Sequence, residues 1–129
     1  MSSSAPSSTW TPEDLRHLDG RRELEIAAPL ADGRRGPWTP VWVVVSAGAV
    51  FVRTWWRRDT GWYGRAVASR RAFVRVSGDS VEVSVEVVGT DDIDTIDAAY
   101  GAKYGITAAA SMVTAEAAAS TLRLERLLT

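Results

Sequence analysis

The sequence predicts a mainly β domain with short helices, its six strands paired antiparallel and closed into a small barrel. Three observations predict it. Residues 81–87 alternate strictly, with Val81, Val83, Val85 and Val87 on one face and Glu82, Ser84 and Glu86 on the other, the period of a half-buried strand. Tight-turn signals, Ser46-Ala47-Gly48 and Ser77-Gly78-Asp79, separate strand-like runs, so sequence neighbours are expected to pair as hairpins. Six such strands in a chain of 129 residues leave exposed edges unless the sheet closes on itself.

Residues 1–9 are serine-rich and read as a mobile tail, which leaves 10–129 as one domain. Thr11 caps a short helix: Pro12 suits the first turn, Glu13 and Asp14 favour the positive end of the dipole, and Gly20 stops it. Leu15 and Leu18 form its inward side, and Trp10 staples its entry. Residues 22–27 alternate as the first strand, Leu24 and Ile26 inward. In the loop 29–40, Gly33, Arg34, Arg35 and Gly36 either make a polar turn or present N–H groups and cations to an anion. Residues 41–45 form a continuous apolar strand, expected to be buried on both faces, and 49–55 pairs back on it.

Trp62, Tyr63, Ala66 and Val67 fall at helical spacing within 62–69. Residues 71–77 read as a strand with Ala72, Val74 and Val76 on one face. After Gly89 the period lengthens. Thr90 or Asp91 caps a helix through Ile93, Ile96, Ala99, Tyr100 and Lys103, and Gly105 ends it. A second short helix follows Thr114, and 121–127 closes the count as a strand with Leu122 and Leu124 inward.

Composition narrows the chemistry. The net charge is −1, which gives the chain no overall attraction to nucleic acid or to acidic membranes. Without cysteine there is no disulfide, thiolate metal site or cysteine nucleophile, and the single histidine, His17, makes a histidine metal site or a Ser/His triad untenable. No apolar run reaches the ~18–20 residues needed to cross a bilayer. The N-terminus lacks the basic and apolar blocks of a signal peptide, so a cytoplasmic location is expected.

Charge is unevenly spread. Acid crowds 79–97, while five of the six tryptophans and most arginines fall within 34–75. In that stretch a core strand runs straight into Arg53, Thr54, Trp55 and Trp56. Alternation puts Arg53 on the face of Phe51 and Thr54 on the face of Val52. A cation beside a hydroxyl at a strand end can hold a phosphate; the alternative is a rim arginine paired with Asp59 or a glutamate. Trp62 and Tyr63 either stack on a planar ligand or fill a core or interface, while Trp38 and Trp42 are expected in the core. Lys103, the only lysine, complements the end of its helix or touches a phosphate. Asp91, Asp92, Asp94 and Asp97 suit a helix N-terminus and lack the spacing of a calcium loop. No catalytic residue is identified.

The segments TPVWVVV, VFVRT, GWYGRAVAS, RVSGDSVEVSVEVV, IDAAYGAKYG and STLRLERL resemble the bacterial domain-of-unknown-function family 2255 over roughly 15–126. Val52-Arg53-Thr54 and Trp62-Tyr63 are the most specific parts. The order of elements also resembles the wider flavin- and deazaflavin-binding split-barrel superfamily. That resemblance implies a six-stranded split barrel, a homodimer with a groove at the subunit interface, and FMN or a deazaflavin as cofactor in an oxidoreductase-like role. Carried onto this sequence, it marks Arg34, Arg35, Arg53, Thr54, Trp55, Trp62, Tyr63, Arg65 and Lys103 as candidate cofactor contacts. The expected partner is a small molecule rather than nucleic acid or membrane. Two departures stand against it: the phosphate loop carries Arg34 and Arg35 where deazaflavin users carry lysines, and the bulky Trp55-Trp56 pair can fill the groove. The alternative is a non-enzymatic, ligand-binding or cofactor-free barrel.

Overall fold

Residues 10–54 and 61–127 are described by a computed structural model. The expected tail at 1–9 and the segment 55–60, with Trp55, Trp56 and Asp59, lie outside them.

Helix α1 (Pro12–Gly20) starts as its residues dictate. The Thr11 hydroxyl accepts from the Asp14 N–H, and the Asp14 carboxylate accepts from the Thr11 N–H, a reciprocal cap. Leu18 is fully buried beneath it. Trp10 seals the same end of the barrel: its ring is buried and its indole N–H donates to the Leu124 carbonyl at 2.9 Å.

The described residues form seven strands rather than the expected six: β1 (Leu24–Ala27), β2 (Thr39–Val41), β3 (Val43–Ser46), β4 (Ala49–Val52), β5 (Arg71–Val76), β6 (Asp79–Val87) and β7 (Leu122–Arg126). They make one antiparallel sheet in the order β2-β1-β5-β6-β7-β4-β3. The extra strand comes from a break at Trp42 in what reads as one apolar run. Val41 and its neighbours pair with β1, while Val43 onward pairs with β4, at opposite edges of the sheet. The two edges are therefore one continuous piece of chain, and the barrel is nearly closed.

The cause lies on the helix that covers the break. Trp42 turns outward and stacks on Tyr104, centroids 4.1 Å apart and planes within 6°. The Tyr104 hydroxyl accepts from the Val43 N–H at 3.1 Å, and the Lys103 ammonium donates to the Val43 carbonyl at 2.8 Å. Side chains of the helix thus satisfy main-chain groups at the bend.

The β3–β4 and β5–β6 hairpins are tight, as expected. Ala47 and Gly48 take φ of 53° and 79°, and Ser77 and Gly78 take 53° and 88°, the positive pairs that match the strand twist. In β6, Val81, Val83 and Val85 face the core, but Val87, expected inward, is 52% exposed although it still pairs with Leu122 at the end of the strand.

Helix α2 (Gly61–Ser69) lies where the Trp-Tyr spacing puts it. Helix α3 (Ile93–Tyr104), at twelve residues, is not short. It starts later than expected, after Asp92 in a left-handed conformation (φ 55°) and without a side-chain cap. Gly105 ends it, and α4 (Ile106–Ala109), a 3-10 turn (Ala110–Met112) and α5 (Ala115–Ala119) follow. The Thr114 hydroxyl caps α5 by accepting from the Ala117 N–H.

Two apolar clusters result. One fills the barrel and includes Ile26, Val43, Val52, Val74, Val83 and Leu124. The other packs Val44, Ala49 and Phe51, on the outer face of β3–β4, against Ile96, Tyr100 and Tyr104 of α3. That second layer explains why the apolar runs flanking the 46–48 turn do not alternate.

Candidate ligand crevice

Strand β4 ends at Val52, and the alternation of Phe51 outward and Val52 inward continues through Arg53 and Thr54. Arg53 therefore points toward α3. Its side chain is fully buried, and three contacts fix it. Nε donates to the Thr121 hydroxyl at 2.8 Å, and Nη1 donates to the Asp97 carboxylate at 2.6 Å and to the Met112 carbonyl at 2.7 Å. The guanidinium carbon stands 5.2 Å from the centre of the Tyr100 ring. Its remaining nitrogen, Nη2, is buried and has no hydrogen-bond partner among the described residues. The counter-ion is Asp97 of α3, not a glutamate; Asp59, the other expected partner, lies outside the described residues.

Next along the chain, the Thr54 N–H donates to the Ser120 hydroxyl at 2.9 Å, and that hydroxyl donates back to the Thr54 carbonyl at 2.8 Å. Tyr63 of α2 is buried, and its hydroxyl donates to the Ser120 carbonyl at 3.0 Å. The strand exit, α2 and the 120–121 corner are thus pinned together. Trp62 meets Tyr63 edge-on, 5.6 Å between centroids, and remains half-exposed.

In front of these groups lies a cavity of about 640 Å³, lined among others by Arg53, Thr54, Trp62, Arg65, Trp42 and Met112. It falls within the ~300–1,000 Å³ of small-molecule sites. Arg65 brings a second cation, and its Nε is buried with no partner among the described residues. Glu23 is the one carboxylate among the described lining residues.

Arg34, Arg35, Tyr63 and Lys103 are not among the described lining residues of this cavity. Arg34 is exposed and paired with Asp32 at 2.6 Å. Hydrogen bonds from Arg34, its N–H and side chain, hold the Asp32 carboxyl below its ordinary range. Arg35 stacks on Trp38 at 4.6 Å, with Arg75 on the same ring at 4.5 Å. That pair of cations, rather than the core, holds Trp38 half-exposed; Trp42 is likewise half-buried. The loop's N–H groups serve the loop itself: Gly33 donates to Leu30, Leu30 to Arg34 and Gly36 to Ala28. The loop thus has the internal hydrogen bonds of a polar turn. Lys103 donates to the Leu18 and Val43 carbonyls, tying α3 to α1 and β3. Burial lowers its pKa, and the Asp19 charge partly opposes this. Trp55 lies outside the described residues.

Asp97, Ser120 and Thr121, which fix the site, were not expected to. The acidic cluster around Asp97 was visible in the sequence, but its partner sits 44 residues away, and no local pattern marks such a pair. No group of histidine, cysteine or acidic side chains among the described residues could hold a metal ion, and no helix among them is long and apolar enough to cross a membrane.

A nearly closed barrel with a cationic, aromatic-walled crevice at the end of β4 defines a split-barrel protein with a cavity of small-molecule size. The chain belongs to the domain-of-unknown-function family 2255, described as an uncharacterised protein conserved in bacteria, which residues 14–124 match. No curated protein matches the sequence.

Solved structures share the fold. The conserved hypothetical protein Rv2991 of Mycobacterium tuberculosis superposes with a TM-score of 0.64 at 15% identity, over 99% of this chain and 86% of its own. HutZ, the heme storage protein of Vibrio cholerae, does so at 0.61 and 12% identity, over 92% and 89%. An FAD-binding protein of Mesorhizobium loti does so at 0.55 and 14%, over 90% and 88%. These likenesses establish the architecture, one used by flavin- and heme-binding proteins.

Proposed function

We propose that this protein is a cytoplasmic, homodimeric split barrel that binds a planar anionic cofactor, FMN or a deazaflavin, in the crevice between β4 and α2. One observation carries the reading. Two guanidinium nitrogens, Arg53 Nη2 and Arg65 Nε, are buried without partners among the described residues, and both side chains line one cavity together with Trp62. A buried donor left unpaired costs about 1–3 kcal/mol. Two at one cavity fit a site that receives acceptor oxygens, and a phosphate supplies them with charge. Arg53 and Arg65 would hold the phosphate, Thr54 would border it, and Trp62 would cover the ring.

A flavin suits the crevice better than a heme does. The only histidine, His17, accepts the Ser77 N–H at 3.1 Å and is not among the cavity's lining residues. When bound, the cofactor would supply the hydride chemistry and the chain its binding and orientation. The FAD-binding relative supports this choice. Titration of the protein with FMN and with a deazaflavin, followed by tryptophan quenching, tests it. Arg65→Met is expected to weaken binding about tenfold, or ~1.4 kcal/mol. Absence of quenching by both cofactors would overturn the reading.

A second reading has its own observation. Arg53 already satisfies Thr121, Asp97 and Met112, which is what a purely structural arginine does. On that reading the crevice takes no cofactor and Arg65→Met leaves every measured property but charge unchanged.

A further inference from the structure

A second, smaller pocket lies between α1, β3 and α3. Asp19, Val44, Val45, Ala99, Ala102 and Lys103 line it, around about 370 Å³. Lys103 is the only lysine in the chain. Every other strongly basic side chain is an arginine, which keeps its proton, whereas a lysine gives one up where water is excluded. We propose that Lys103 is a covalent capture site for a small uncharged aldehyde, which enters this pocket and is bound to Nζ as an imine.

Two hydrogen bonds prepare the amine. Nζ donates to the Leu18 carbonyl at 3.0 Å and to the Val43 carbonyl at 2.8 Å. Both acceptors are neutral, not carboxylates. An ammonium has three N–H groups, and the third has no hydrogen-bond partner among the described residues. That proton can leave without breaking either bond, and the lone pair it leaves behind is a nucleophile. Burial favours the loss by lowering the pKa, against the charge of Asp19 on α1. On its own helix, the Tyr104 ring at 5.3 Å favours the ammonium, and Arg22, 5.5 Å from the centre of the same ring, opposes it. Strand β3 brings no titratable side chain.

Capture needs no further reactant. The ammonium passes one proton to the Asp19 carboxylate, the lone pair bonds to the aldehyde carbon, and the carbonyl oxygen takes that proton. A second N–H proton then moves to the new hydroxyl, water leaves, and C=N forms as a protonated imine. Its one remaining N–H suffices for the Val43 carbonyl. The Leu18 carbonyl still accepts from the Arg21 N–H at 3.3 Å. Val44, Val45 and Ala99 suit a short alkyl chain, while Asp19 disfavours an aldehyde that carries a carboxylate. The crevice beside β4 plays no part, so this inference stands apart from the cofactor reading.

Reductive trapping of the full chain tests it. Propanal and cyanoborohydride are added at mildly alkaline pH, with Nα-acetyl-lysine amide in the same tube, and products are followed by mass spectrometry. Lys103 is expected to be propylated about tenfold faster than the reference amine, a modest share of what a positioned acid–base supplies. The rate is expected to saturate with propanal, and glyoxylate to react more slowly. Asp19→Asn is expected to bring the rate down to that of the reference. Loss of its charge alone would ease deprotonation and raise the rate, so a faster variant overturns the step. Ala102→Phe, at an exposed position, narrows the pocket and is expected to abolish saturation with an unchanged circular dichroism spectrum. Labelling no faster than the reference, or strictly proportional to propanal, overturns the inference. If Ala102→Phe does not fold, saturation of the wild type and the Asp19→Asn rate decide.

Discussion

Replacing Asp97 by alanine is the sharpest probe of how this barrel is held. Arg53 has a side chain of 0% exposure, while Asp97 is 28% exposed. Removing the carboxylate leaves a cation in the interior, held only by the Thr121 hydroxyl, the Met112 carbonyl and the Tyr100 ring. Breaking a buried pair from one side costs roughly 3–5 kcal/mol, and the partial exposure of Asp97 puts this case near 3. The reciprocal change, Arg53→Met, leaves a carboxylate that water can reach and one carbonyl that lacks a donor, about 1–2 kcal/mol. The order of the two is the test. Urea unfolding of both variants and of the double variant gives it, with the cycle isolating the coupling. The Arg53 cation is fully buried, so the Asp97→Ala loss is expected to fall less with added salt than that of an exposed pair. If Asp97→Ala costs no more than Arg53→Met, the carboxylate is not what keeps the buried cation in place.

Three further changes follow from particular contacts. Gly36→Ala puts a Cβ 2.8 Å from the Ala28 carbonyl and 3.3 Å from Arg65 Nη2, and thermal unfolding is expected to report a loss of about 1–3 kcal/mol. Ala47→Asn supplies a residue that accepts the left-handed conformation Ala47 now holds at φ 53°, and is expected to gain about 0.5–1 kcal/mol in urea midpoint analysis. The last concerns alkali. Burial raises the Tyr100 phenol above its ordinary 10.0, so the fold holds it neutral while the unfolded chain ionises it. The stability it contributes is present below pH 10.0 and is lost as pH climbs beyond. Tyr104, also raised by burial, acts in the same direction, and Lys103, lowered by burial, in the opposite one. Tyr100→Phe is expected to flatten the alkaline fall in the denaturation midpoint, and an unchanged slope would refute the assignment.

Period-two patterns and turn residues made most of the sheet legible. Val81, Val83 and Val85, the Ala47-Gly48 turn and the Thr11 cap each depend on neighbours a few residues away, which a sequence displays directly. The break at Trp42 was not legible, because it depends on Tyr104 and Lys103, some 60 residues further along. A continuous run of valines reads as one strand unless those side chains are known to intervene. The crevice divides the same way. Alternation was enough to put Arg53 on the face of Phe51 and Thr54 on that of Val52, the faces the structure shows them on. That Arg53 would be buried depended on Asp97, Met112 and Thr121, whose approach no local pattern records. Arg34, Arg35 and Lys103 read as cofactor contacts because their charge is visible in sequence, while the groups that already engage them are not.

Strand β7 is the last of the seven to be synthesised, yet it sits between β6 and β4 in the sheet. Until Leu122–Arg126 has left the ribosome, β4 and β6 each present an unpaired edge, and Trp10 has no carbonyl to meet. A nascent chain thus carries unpaired strand edges from the emergence of β4 and β6 until β7 joins them. Its safe production depends on how fast the final stretch is delivered, or on a chaperone that waits for it.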